Sequence, residues 1–343
     1  MFLVLCLLGV QLFVMGVRIY PVVEVKDFVY GHRYGWLTAL LRAAEGFMLR
    51  PERELGRAFA MRLNLRQYLM RRYGVPLDRG VIMMDHGIMS QSFSETFSLL
   101  KTPRNIVRVY KALGVDYGIA FDIPARLSTA IHDPAAKRAK SIRELSRIAA
   151  EEGARRLREM AEEAERVGFS GLVPVVQGLY RDDVELSAEE SVRIMAERRD
   201  SFLVAIGTGG RTLTQQDVEL IRFAAESVER FAAKYGASVR MHILGWSSPE
   251  RIRDPSLIRR IFSADSLTPR RRAVEGKVYV VKGGRLCLAR APEAERYSCS
   301  CPVCRDPVLR SYVLDPSGAR KNDARMVHNV YILQQYLANI TAK

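Results

Sequence analysis

Three cysteines crowd into Cys299-Ser-Cys301-Pro-Val-Cys304, and His328 follows on a predicted C-terminal helix of about Asn322 to Asn339. Zinc takes four tetrahedral sulfur or nitrogen ligands, and three thiolates plus one imidazole fill that shell with no position left for a substrate. The pattern therefore predicts one structural Zn2+ per chain, held by Cys299, Cys301, Cys304 and His328. An iron–sulfur cluster is the weaker competitor, because the run lacks a fourth cysteine. A second set of residues stands out by position. Asp85, Asp122, Gln177, Gly207 and Asp265 lie at or just beyond the ends of short apolar runs. Carboxylates placed there can serve as nucleophile or as general acid and base, although an aspartate at a strand end is more often a turn former or helix cap. Gln177 is harder to dismiss, since an amide inside an apolar strand needs partners. His242 reads as a core histidine with satisfied nitrogens, and Met83-Met84 as packing.

The elements that must position these residues alternate. Val81 to Met84, Tyr117 to Phe121, Leu172 to Val176, Leu203 to Ile206 and Met241 to Leu244 read as buried strands, with a further candidate at Ile261 to Ala264. Amphipathic stretches separate them. Ser141-x-x-Glu144 and Ser187-x-x-Glu190 read as capping boxes, Ser248-Pro249 as a helix start, and Gly168 and Gly236 as helix stops. This βα alternation predicts an α/β fold, a (β/α)8 TIM barrel, with an open doubly wound sheet as runner-up. Gly207-Thr-Gly-Gly210 has the wrong spacing for a dinucleotide loop. The expected division is a partly helical segment 1–77 packed on the barrel, with apolar runs able to supply more strands. A barrel core follows over 78–275. Residues 276–343 form a hairpin across Gly283-Gly284, a small zinc-binding subdomain and the C-terminal helix.

The chain has 343 residues, 48% of them hydrophobic, and a formal net charge of +15. Such a positive field suits a polyanion such as RNA or DNA, and equally suits an ion-pair-rich surface with no dedicated partner. Arg270, Arg271 and Arg272, with Lys277, Lys282, Arg285 and Arg290, can form a basic track for phosphates or a solvated face. Only five cysteines are present, three of them clustered, which argues against a disulfide framework and points to a reducing, cytoplasmic setting. Phe2 to Val14 is apolar but too short to span a bilayer, and Met15 offers a second start. A misplaced start or an extra packed strand is expected there, not export, and no membrane association.

The segment Cys299 to Cys304, followed by Val327-His-Asn-Val-Tyr331, resembles the zinc module of tRNA-guanine transglycosylases, the queuine- and archaeosine-type tRNA-ribosyltransferases. Upstream, Val175-Val-Gln-Gly178 is similar to that family's base-recognition strand and Ala205-Ile-Gly207 to its glycine strand. Phe262-Ser-Ala-Asp-Ser266 is similar to its nucleophile segment, Met84-Asp-His-Gly87 to its Asp-Ser-Gly-Gly motif, and Ala120-Phe-Asp122 to a strand whose aspartate reads the base. Order and spacing agree from about residue 78 to 337. The resemblance implies base exchange at a glycosidic carbon by double displacement. Asp265 would be the nucleophile linked to ribose C1′, and Asp85 the general acid/base. Asp122 and Gln177 would bind the purine edge, Gly207 would admit the base, and Arg270 to Arg272 would meet phosphates. It further implies tRNA as partner with a flipped or looped target nucleotide, an incoming 7-deazaguanine, homodimer pairing through the zinc region, and no redox or organic cofactor. His86, Ile88, Met89, Thr208 and Leu179 depart from the family pattern around the base pocket, and no C-terminal RNA-binding extension of the archaeal kind is expected. The same exchange on DNA is the first alternative. A non-catalytic RNA-binding subunit of a transglycosylase is the second, and retention of Asp85 and Asp265 speaks against it.

Overall fold

Runs such as Ile82-Met-Met84 and Phe202 to Ile206 are buried along their whole length, as strands are when both faces of a parallel sheet are covered. The computed structural model describes residues 17–49, 53–85, 102–123, 133, 135–207, 214–246, 254–315 and 323–341. Its strands are β1 (Arg18–Val23), β2 (Gly46–Leu49), β3 (Val81–Met84), β4 (Tyr117–Ile119), β5 (Leu172–Val173), β6 (Val175–Val176), β7 (Ser201–Gly207), β8 (Ser238–Leu244) and β9 (Ile261–Ser266). All neighbours run parallel, in the order β5-β4-β3-β2-β1-β9-β8-β7-β6. The two outer segments are halves of one strand split by Pro174, which has no N–H to give a ladder. The Pro174 carbonyl still accepts from the Ala205 N–H (2.8 Å), and the Val173 carbonyl from the Ala120 N–H (2.8 Å). One half pairs with β4 and the other with β7, so the sheet closes on itself as the eight-stave parallel barrel.

Among the described residues the first stave begins at Arg18. Segment 1–77, expected to pack on the barrel with apolar runs able to supply strands, contributes among its described residues two staves, β1 and β2, and four helices: α1 (Val25–Arg33), α2 (Leu37–Ala43), α3 (Arg53–Ala60) and α4 (Leu65–Tyr73). Further round lie α5 (Pro103–Leu113), α6 (Ile142–Val167), α7 (Arg181–Ala196), α8 (Gln215–Lys234), α9 (Pro255–Arg260) and α10 (Thr268–Val274). Ser141 Oγ accepts from the Glu144 N–H (3.1 Å) and starts α6, while Gly168 ends it in the left-handed region. Ser187 is no cap. It lies buried inside α7, which starts six residues earlier at Arg181, and its Oγ accepts from the Gln177 N–H (3.2 Å). Ser248-Pro249 and the apolar stretch Phe2 to Val14 lie outside the described residues. No described helix is long and apolar enough to cross a membrane.

Register decides which side chains face inward. Asp265 pairs with Tyr20, Val22 with Met48, and Met48 with Met83. On the other side His242 pairs with Ser263 and Ala205, and Ala205 with Val175. Side chains alternate with period two, so one inward set carries Asp265, Ser263, His242, Gly207, Gln177, Met83 and, two residues on, Asp85. After β9 and α10 the chain forms the antiparallel hairpin β10 (Lys277–Lys282) and β11 (Arg285–Arg290). Gly283 and Gly284 have φ 55° and 73°, the left-handed pair that a two-residue hairpin turn requires. The cysteine segment, α11 (Pro307–Leu314) and α12 (Asp323–Thr341) complete the subdomain.

Candidate active site and metal centre

Because the staves are parallel, Asp85, Asp122, Gln177, Gly207 and Asp265 all sit at the C-terminal end of the barrel, the end where such folds build sites. Asp265 is 6% exposed. Its Oδ1 accepts from the Gly245 N–H (2.8 Å) and faces His242 Nε2 at 3.2 Å. His242 is fully buried, with its Nδ1 2.8 Å from Ser263 Oγ. Asp265 does not cap the following helix. Next to it, Ser266 Oγ accepts from the Thr268 N–H (3.1 Å) at the helix start and donates to the Trp246 carbonyl (2.7 Å).

Across the rim, the Asp85 N–H donates to the Leu49 carbonyl (3.2 Å), while the Asp85 and Asp122 side chains are half-buried. Both charges are felt at Tyr110. Its hydroxyl donates to the Ile119 carbonyl (2.8 Å), and burial, then the carboxylates of Asp85 and Asp122, hold it well above the usual tyrosine range. Tyr110 can lie there because Gly118 has no side chain; a Cβ would stand 2.0 Å from the ring. The Gln177 side-chain amide donates to the Ile123 carbonyl, fixing the backbone next to Asp122. Its Cβ and Oε1 lie 3.5 and 3.7 Å from where a Cβ on Gly207 would be. Leu179 donates its N–H to Ser146 Oγ (2.9 Å). His86, Ile88, Met89 and Thr208 lie outside the described residues.

The basic triplet divides. Arg270 makes a bidentate pair with buried Asp27 (2.7 and 3.0 Å), a structural clamp that withdraws its guanidinium from the expected phosphate track. Arg272 reaches Glu275 (3.0 Å), whereas Arg271 is the exposed member and approaches Glu275 only at 3.9 Å. Elsewhere arginines are drawn into helix-surface pairs, as with Arg147–Glu151 and Arg193–Glu197, so part of the positive charge is local pairing.

The predicted zinc ligands converge. The sulfurs of Cys299, Cys301 and Cys304 and a nitrogen of His328 lie within 4.8 Å of one another. His328 Nδ1 stands 3.5, 3.5 and 3.4 Å from the three Sγ atoms. A tetrahedron with Zn–S near 2.3 Å and Zn–N near 2.0–2.1 Å has an S···N edge of about 3.6 Å, so the four atoms fit a zinc ion at their centre. Backbone N–H groups of Cys301 and Cys304 point at Cys299 and Cys301 Sγ (3.4 Å each), as thiolates need. His328 Nε2 donates to the Tyr279 carbonyl (2.8 Å), which leaves Nδ1 for the metal. Next to it, Asn329 accepts from the Tyr279 N–H (2.8 Å) and donates to the carbonyls of Pro269 (3.1 Å) and Lys277 (3.2 Å). Arg325, fully buried, donates to the carbonyls of Ala273 (2.6 Å), Val313 (3.0 Å) and Asp315.

Sequence reasoning placed His242 in the core but missed its partners, Ser263 and Asp265, and missed Gly245 and Tyr110 altogether. A histidine and an aspartate on different predicted strands carry no signal of contact until the register is known. The model of one family, queuine tRNA-ribosyltransferase, matches residues 79–343. No curated protein matches the chain. Among solved structures, the YdjI aldolase of Escherichia coli K12 is similar at 11% identity and TM-score 0.43, covering 94% of this chain and 92% of that one. The fructose-bisphosphate aldolase of Campylobacter jejuni is similar at 10% identity and TM-score 0.45, covering 94% and 90%. At those TM-scores neither bears on function. The family match takes in the cysteine cluster, His328 and all five residues at the barrel rim, and the chain belongs to the queuine tRNA-ribosyltransferase family.

Proposed function

We propose that the protein exchanges a guanine base in tRNA for a 7-deazaguanine through a covalent aspartyl–ribose intermediate. The observation that carries the reading is the placement of two carboxylates, Asp265 and Asp85, on the same inward set at the C-terminal rim of a barrel of this family. In the first step an Asp265 oxygen attacks C1′, the C1′–N9 bond breaks, and its electron pair leaves on guanine, which Asp85 protonates. In the second, the deazaguanine nitrogen attacks C1′, Asp85 takes its proton, and Asp265 departs as carboxylate. Two inversions retain the sugar's configuration. Asp122 and Gln177 recognise the purine edge, Gly207 leaves room for its approach, and Arg271 meets phosphate. Zinc, when bound, supplies a closed structural shell and takes no part in the exchange. A second copy docked through the zinc region and a cytoplasmic location complete the reading.

The test incubates the protein with radiolabelled guanine and either tRNA or duplex DNA, beside Asp265→Ala. Label entering tRNA only with the unsubstituted protein supports the proposal. Label entering DNA moves the same chemistry to a different polymer, and label entering neither overturns the enzymatic reading in favour of a binding subunit.

A further inference from the structure

His242 is fully buried, yet both its ring nitrogens have polar partners on the neighbouring strand: Ser263 Oγ at 2.8 Å and Asp265 Oδ1 at 3.2 Å. A histidine serving the core alone has no need to spend a nitrogen on the one carboxylate proposed to attack the sugar. The contact is also built. Tyr20 packs against the imidazole with ring centroids 5.9 Å apart, and Gly46 is required beneath Tyr20, since a Cβ there would lie 2.7 Å from that ring.

We propose that His242 is a positioning residue for Asp265: its Nε2–H, together with the Gly245 N–H, holds Oδ1 as the non-attacking oxygen and leaves Oδ2 to attack C1′. This rests on the reading of Asp265 as the nucleophile. An ionised carboxylate only accepts hydrogen bonds, so the proton facing it must sit on Nε2, and the Ser263 hydroxyl then donates to Nδ1. Oδ2 has no hydrogen-bond partner among the described residues. As the Oδ2–C1′ bond forms and the C1′–N9 pair leaves on guanine, Oδ1 becomes the carbonyl oxygen of the ester. When the incoming base attacks C1′, the Oδ2–C1′ pair returns to the carboxylate and charge reappears on Oδ1. The same two donors therefore meet the charge at both ends of the reaction, without reorganisation.

The test compares His242→Gln, which keeps a donor, with His242→Phe, which fills the space without one, and with Ser263→Ala, using label transfer to tRNA. Loss of one preorganised donor to a reacting oxygen predicts a fall in kcat of about 100-fold for His242→Phe with KM for tRNA changed less than about twofold. His242→Gln should recover most of that loss, and Ser263→Ala should fall between. Because His242→Phe is a core change, the unsubstituted protein gives a second readout. In 15N-histidine spectra, with His242→Gln providing the assignment, His242 should carry its proton on Nε2 and respond to Asp265→Ala. A proton on Nδ1 in place of Nε2 overturns the proposal, as does a kcat for soluble His242→Phe within about threefold of normal. In that last case label transfer continues and the proposed function stands. Failure of the unsubstituted protein to transfer label removes the proposed function and this inference with it.

Discussion

Gly207 and Gly178 stand near one another at the barrel rim, and alanine at each should do opposite things. A Cβ on Gly207 would meet Gln177 Cβ at 3.5 Å, Gln177 Oε1 at 3.7 Å and Val175 Cγ1 at 3.7 Å. Those are ordinary contact distances, and the residue is not among the glycines with left-handed φ. Alanine relieves glycine's entropy cost in a strand, so stability should change by no more than about 0.5 kcal/mol, or about 2 °C in Tm. The new methyl faces the inward space proposed for the base. Displacing a bound base by about 1 Å costs on the order of 100-fold in rate, close to 2.7 kcal/mol of barrier. On Gly178 a Cβ would lie 2.9 Å from the Val184 backbone nitrogen and 3.0 Å from its Cγ2, so α7 would have to shift, at a cost of about 1–3 kcal/mol. Thermal melts and label transfer to tRNA, run on both variants, separate the effects. Gly207→Ala that melts normally and exchanges base at the normal rate would refute the placement of the base beside Gly207. A loss of more than about 2 kcal/mol in its stability would refute the geometry itself.

Cys301→Ser should bring bound zinc from one per chain to near zero by metal analysis and lower Tm by about 10 °C or more, a loss of several kcal/mol; full zinc retention would show the ligand set to be wrong. Arg270→Met should destabilise by about 3–5 kcal/mol in urea titrations at neutral pH, because Asp27 would stay buried with its bidentate partner gone. A change below about 1 kcal/mol would return Arg270 to the phosphate track. Asp323 is pushed up to about 6 by burial and then by the charge of Asp27. A carboxyl whose folded value lies above its unfolded value stabilises the fold in its protonated form, so its contribution weakens as pH rises from about 4 through 6. Asp323→Asn should therefore be more stable than the unsubstituted protein above pH 7 by about 1–2 kcal/mol, the full shift being discounted for partial exposure. Equal melting curves at both ends of that range would refute the assignment.

The staves after residue 78 were legible because each carries a short apolar run with amphipathic helical sequence on either side of it. Those before it were not. Arg18-Ile-Tyr-Pro-Val-Val23 and Gly46-Phe-Met-Leu49 lie in arginine-, tyrosine- and leucine-rich sequence that reads as helical, with no clear βα alternation around them. The zinc ligands were legible because three of the four are adjacent in sequence and thiolates in that spacing have few other uses. The rim residues were legible as strand ends, but their neighbours were not. His242 and Asp265 are 23 residues apart, and Arg270 and Asp27 are 243 apart. Such pairs depend on register and barrel closure, which local pattern does not encode. The Arg270 pair was hidden for the same reason: beside two other arginines Arg270 looks like part of a phosphate track, and only the closed barrel brings Asp27 to it.

The same long-range contacts give the zinc a role that its ligands alone do not suggest. His328 binds the carbonyl of Tyr279, and the next residue, Asn329, binds the carbonyls of Pro269 and Lys277. Arg325, one turn earlier on α12, binds the carbonyl of Ala273. Pro269 and Ala273 belong to α10, the helix that starts two residues after β9, and Arg270 on that helix clamps Asp27 on α1. Each of these contacts is buried or half-buried and involves a carbonyl or carboxylate that would cost about 1–3 kcal/mol to leave unsatisfied. Moving α10, and with it the chain leaving Asp265, would break several at once. A zinc ion holding His328 would therefore also hold the partners of α10. Bound there, it would act on the proposed nucleophile by restricting where its strand can end, not by touching the reacting atoms, and a closed four-ligand shell would suffice for that.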